Sequence, residues 1–121
     1  MAMDPHESWE RTMADLDPVA ARLLDRHRSM ASEWFPHDYV PWECGRSFVN
    51  EPWESSQSQL DPVARAALQL NLLTEDNLPS YYFALRSVFS DRGPWGEWTR
   101  RWTAEEGRHS IAIRDYLLLT R

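Results

Sequence analysis

The stretch Trp95–Tyr116, WGEWTRRWTAEEGRHSIAIRDY, decides how this chain folds. Trp95, Trp98, Trp102, Glu106, His109, Ile113 and Tyr116 recur at three- and four-residue intervals. That period predicts a helix carrying all of them along one face. Glu106 and His109 are spaced i, i+3, so their side chains project together. The rest of the face is tryptophan, isoleucine and tyrosine. An ionised carboxylate held among apolar groups needs a compensating charge, and a metal cation is one way to supply it. The helix is expected to begin near Trp95, after the turn signal Asp91-Arg92-Gly93-Pro94. It is expected to run to the end of the chain. The closing run Leu117-Leu118-Leu119 has no glycine cap and reads as a helix cut rather than finished.

Upstream, a long helix is predicted from Asp61 to about Ser90. Asp61 can cap the free N–H groups and Pro62 is preformed for the first helical position. Leu68, Leu72, Glu75, Leu78, Tyr82 and Leu85 form its apolar stripe, so Glu75 also sits among apolar neighbours. Pro79 lies within this stretch and predicts a kink just past Glu75. The same Asp-Pro device at Asp17-Pro18 predicts the start of a first helix, with Val19, Leu23, Leu24 and Met30 at helical spacing. Residues 1–16 are expected to be flexible. The segment Trp34–Leu60 contains Pro36, Pro41, Gly45 and Pro52, which forbid a long helix, and six aromatic residues that predict a pinned loop.

The chain has 121 residues, the size of one modest domain, and 42 % of them are hydrophobic. Its formal net charge of -6 argues against nucleic acid and anionic membranes as partners. Seven tryptophans point to a core or partner surface built from aromatics. Cys44 is the only cysteine, so a reducing, cytoplasmic setting is expected. The first ten residues have no apolar core of a signal peptide, and the apolar runs are far too short to span a membrane. A soluble protein follows.

The chemistry-bearing set is therefore Glu75, Glu106 and His109. A Glu-x-x-His alone is a common chance pattern. The glutamate on the apolar stripe of the preceding helix makes it more specific. Di-iron sites in bundle cores use one Glu from each of two helices and a Glu-x-x-His from each of two others. This chain offers one helix of each kind, half of the set. Glu105 lies one position off the face, between Arg101 and Arg108, and reads as a solvated ion-pair residue.

Three segments resemble the soluble acyl-carrier-protein (ACP) desaturases, particularly their mycobacterial-type branch. They are Thr74-Glu75-Asp76-Asn77-Leu78-Pro79-Ser80-Tyr81, Trp102-Thr103-Ala104-Glu105-Glu106-Gly107-Arg108-His109, and Trp34-Phe35-Pro36-His37-Asp38-Tyr39-Val40-Pro41. The likeness continues through Ile111–Leu117 and covers Leu16 to Arg121. It implies an all-α, ferritin-like di-iron four-helix bundle, of which residues 1–121 are the N-terminal half. It implies that Glu75 is a terminal iron ligand, that Glu106 bridges two irons and that His109 binds one of them. Thr74 would line an oxygen-side cavity, and Trp34 would stand on an electron route toward the ligand histidine or simply anchor the loop. Tyr82, Phe83, Trp98 and Trp102 would wall a substrate channel or pack the core.

The implied reaction is the O2-dependent introduction of a cis double bond into a saturated acyl chain carried on ACP. Its electrons would come from a ferredoxin-type donor. Family members carry Asn where this chain has Gly107. They are also more than twice as long, and their second Glu and second Glu-x-x-His have no counterpart here. Neither has the Asp that would orient the ligand histidine. The site is therefore expected to be completed by a homodimer whose third helices face each other, covering an otherwise exposed apolar stripe. The alternatives are a non-enzymatic or iron-oxidising half-domain that dimerises around iron, or an inactive truncated fragment.

Overall fold

The computed structural model describes residues 4–121. All its regular elements are helical: α1 (Pro5–Met30), α2 (Pro62–Glu75), α3 (Leu78–Val88) and α4 (Gly93–Leu119), with three short 3-10 turns between α1 and α2. They fall into two compact units. One holds residues up to Glu33 together with Pro79–Thr103, and the other holds Trp34–Leu78 together with Ala104–Arg121.

In the first unit, α1 begins at Pro5 and not at Asp17 as the sequence suggested. Asp4 is the cap, its Oδ1 accepting a hydrogen bond from the His6 N–H at 2.8 Å. The start is thus another Asp-Pro pair, thirteen residues earlier than the one that stood out. Pro18 lies inside the helix. A proline there removes one backbone hydrogen bond, so tertiary contacts must hold the turns before it. Trp9 provides one: its indole N–H donates to the Val88 carbonyl at 3.0 Å. Residues 5–16 form the first turns of α1, while Met1–Met3, within the stretch expected to be flexible, lie outside the described residues. Leu24, 3 % exposed, is the most deeply buried apolar side chain of the unit.

The single helix predicted over Asp61–Ser90 is two helices. α2 ends at Glu75, and Asp76 and Asn77 separate it from α3. Pro79 therefore falls in the first turn of α3, where its missing N–H would have had no partner anyway. A break replaces the expected kink. α4 starts at Gly93, two residues before the expected Trp95, and Gly93 takes a φ of 59° that favours glycine. Phe89 stacks on Trp95 (centroids 5.0 Å apart) and Trp98 on Trp102 (6.0 Å). Tyr82 and Phe83 meet edge to face at 5.8 Å. Ring packing is thus the role these four channel candidates show.

In the second unit the loop between Trp34 and Leu60 forms the turns Pro36–Asp38, Trp42–Cys44 and Ser55–Gln57 and no longer helix, as its prolines require. Val40, 6 % exposed, pins it. α2 opens on Asp61, whose Oδ1 accepts from the N–H groups of Val63 (2.9 Å) and Ala64 (3.3 Å). The far end of α4 is tied to the same region. The Thr120 carbonyl accepts from the Gln59 N–H at 3.1 Å and from Arg65 at 3.2 Å. These contacts fix α2 against the C-terminal half of α4, the pairing that builds the site. Ile113 and Tyr116 on this part of α4 are each half-buried. Among the described residues no helix is long and apolar enough to cross a membrane.

Candidate metal centre

Glu75 is the last residue of α2, while Glu106 and His109 stand one turn apart on α4. All three belong to the second unit. His109 Nδ1 lies 2.8 Å from Glu106 Oε2 and 3.8 Å from Glu75 Oε2. One donor atom from each residue can be chosen so that all lie within 4.8 Å of one another. Among the described residues this is the one group of three or more such donors, and Glu105 is not part of it.

Two carboxylate acceptors face one imidazole nitrogen, Glu106 at 2.8 Å and Glu75 farther off at 3.8 Å, an arrangement in which a shared cation would hold the three together. Oxygen, oxygen and imidazole nitrogen are donors suited to iron and its neighbours in the first transition row. The donor set therefore fits a metal. The side chains keep 23 % (Glu75), 27 % (Glu106) and 44 % (His109) exposure, so the cluster is open on one side.

Trp34 comes to the same place. Its ring stacks on His109, with centroids 5.8 Å apart and planes 18° from parallel. Tyr39 meets Trp34 edge-on at 5.5 Å. The Arg108 guanidinium lies 5.9 Å from the centroids of both Trp34 and Phe35, a cation–π distance that holds the loop onto α4. Thr74 does not join the cluster: it is exposed, and its hydroxyl donates back to the Leu70 carbonyl at 3.2 Å.

Two features were not legible in the sequence. Arg108 appeared there only as a partner for Glu105, with no sign of its aromatic contacts. The Arg114–Asp76 ion pair, with Nη2 2.6 and 2.7 Å from the two carboxylate oxygens, joins residues 38 positions apart. No local period connects them. Gly107, on the helix between Glu106 and His109, has only Leu78 Cδ2 near the position of a Cβ, at 3.9 Å.

A family model described as fatty acid desaturase matches residues 10–121. DesA1 of Mycobacterium tuberculosis H37Rv, which bears the name of an acyl-ACP desaturase, is 48 % identical over 110 residues, covering 88 % of this chain and 32 % of its own. The palmitoyl-ACP 4-desaturase 3 of Ophrys sphegodes is 33 % identical over 107 residues, covering 81 % of this chain and 27 % of its own. The X-ray structure of DesA2 from M. tuberculosis H37Rv superposes with a TM-score of 0.72 at 36 % identity, over 90 % of this chain and 40 % of that one. The likeness gives the all-α, ferritin-like class expected from the sequence. The chain spans well under half the length of these relatives.

Proposed function

The chain belongs to the fatty acid desaturase family, and from that premise we propose that it supplies half of the ligands of a di-iron acyl-ACP desaturase centre. The observation that carries this reading is the convergence of Glu75, Glu106 and His109 within 4.8 Å on two helices. A Glu from one helix and a Glu-x-x-His from another is half of the carboxylate-bridged set found in ferritin-like bundles. Glu75 would be a terminal ligand, Glu106 a bridge and His109 a ligand to one iron. Iron, when bound, supplies the oxygen activation by which a saturated acyl chain loses two hydrogens and gains a cis double bond.

The residues of this chain then have distinct tasks. The two carboxylates offset the positive charge of the cation and fix its place against α4. Trp34, stacked on His109, orients the imidazole and offers an aromatic path for electrons from a ferredoxin-type donor. Thr74 stands beside the first ligand and would line an oxygen-side cavity in the assembled site, while in the chain itself its hydroxyl donates to the Leu70 carbonyl. The partner is ACP carrying the acyl group, as the names of the relatives suggest. The setting is the cytoplasm.

Three donors leave the set incomplete, and the open side of the cluster supports completion by a second copy of the chain or by a polypeptide carrying the other ligands. An iron-oxidising half-domain that dimerises around the metal is supported by the same openness. One experiment separates these readings. Iron-loaded protein is resolved by sedimentation into monomer and assemblies. Each fraction receives saturated acyl-ACP, reduced ferredoxin and oxygen, and the acyl products are analysed by mass spectrometry. A monounsaturated product from an assembly, and none from the monomer, is the expected result. Desaturation by a proven monomer contradicts the half-site. Iron oxidation without any double bond in every assembly favours the second reading.

A further inference from the structure

Asp76 is the residue at which α2 ends: it is the C-cap, with its N–H bonded to the Leu72 carbonyl at 2.8 Å. A carboxylate at the C-terminal end of a helix meets partial negative charge, a cost here only partly offset by the start of α3 two residues later. Helix ends also fray, and here the last helical residue is Glu75. A metal ligand at a helix end is well preorganised only if that end is held, since productive geometry needs placement to within about 0.5 Å. The structure answers both problems with one contact. Arg114 on α4 reaches both oxygens of Asp76, at 2.6 and 2.7 Å. Arg114 follows His109 by five residues on the same helix, and Asp76 follows Glu75 by one. The pair therefore staples the ligand-bearing end of α2 to the ligand-bearing part of α4.

We propose that Asp76 and Arg114 are positioning residues for the metal centre, setting the approach of Glu75 to Glu106 and His109. The inference rests on the reading of those three residues as metal ligands. It has a signature that distinguishes it from a plain field effect. Removing the negative charge of Asp76 disfavours a nearby cation through space, and removing the positive charge of Arg114 favours it. A clamp makes both changes act in the same direction, because either one frees Glu75.

The test uses cobalt(II) as probe on the full 121-residue chain, with affinity and the ligand-field absorption spectrum as readouts. Asp76→Asn and Arg114→Gln should each weaken cobalt binding about tenfold, the lower end of what loss of a supporting contact costs a metal site. Both should alter the spectrum. Arg114→Lys keeps the charge on one nitrogen that can meet both oxygens, but on a more flexible and more strongly hydrated side chain, and should fall between them and the unaltered chain. It also serves if Arg114→Gln loses helix content by circular dichroism. The matched control is Glu51→Gln, which breaks another two-point arginine pair in the same unit, Arg46 Nε and Nη2 to Glu51 at 2.9 Å each. That change should leave cobalt binding untouched. Opposite signs for the Asp76 and Arg114 variants, no change in either, or an equal loss in Glu51→Gln overturns the clamp. Absence of cobalt binding by the unaltered chain, or binding that survives Glu75→Gln, overturns the metal reading and the clamp with it.

Discussion

Replacing Gly107 with alanine should stabilise the protein, although the residue sits between Glu106 and His109. Gly107 is inside α4 and does not have a positive φ, which among the glycines belongs to Gly93 alone. A helix-interior glycine is about 0.8–1.0 kcal/mol less favourable than alanine, because it loses more backbone freedom on folding. The structure leaves room for the methyl group. A Cβ built there has Leu78 Cδ2 at 3.9 Å as its nearest neighbour beyond the local helix. That is ordinary van der Waals contact, adding about 0.1–0.2 kcal/mol per atom pair. The net gain is about 1 kcal/mol, which for a chain of this size raises the melting temperature by about 4 °C. Thermal melts followed by far-ultraviolet circular dichroism measure it, and metal affinity should not fall. A lower melting temperature would refute the reasoning. It would mean that Leu78 packs more tightly on α4, or that the helix is distorted at the site.

Gly96→Ala should do the opposite. Its Cβ would lie 2.2 Å from the Asp91 carbonyl oxygen, a backbone atom, so the turn into α4 must shift, at about 1–3 kcal/mol. The same melts detect the loss. Leu24→Ala should lower the urea midpoint by the equivalent of about 2–5 kcal/mol, since that side chain is 3 % exposed. Trp9→Phe removes the indole bond to the Val88 carbonyl, and hydrogen exchange should quicken in the first turns of α1 for a loss of about 0.5–1 kcal/mol. Asp61→Ala strips two N–H groups of their acceptor and should cost about 1 kcal/mol in chemical denaturation.

Periodicity carried most of the fold. The three- and four-residue spacing along α4 placed Glu106 and His109 on one face, and the stripe through Leu68, Leu72 and Glu75 brought the third donor toward them. Both are local properties, and local properties are what a sequence displays. The errors came where two local signals competed. Asp4-Pro5 and Asp17-Pro18 are the same capping device. Choosing between them depends on Trp9 reaching Val88, a contact across 79 positions. The break at Asp76-Asn77 was read as a kink at Pro79 because proline is the louder breaker. In fact proline is harmless in a first helical turn. That Trp34 stands toward His109 was implied only by resemblance, and the stacking of their rings was not expected at all. The Arg108 and Arg114 contacts followed from nothing in the chain's local pattern, since each depends on how the loop and α2 pack against α4.

The central claim is that Glu75, Glu106 and His109 act together as a metal site, with Glu106 rather than its neighbour Glu105 in the donor set. It is tested most directly by counting ferrous iron bound per chain after anaerobic loading, in the unaltered protein and in the Glu106→Gln and Glu105→Gln variants. Iron should be lost from Glu106→Gln and kept by Glu105→Gln. Iron kept by Glu106→Gln and lost from Glu105→Gln would contradict the account, placing the donor face of α4 one residue away from where the structure shows it.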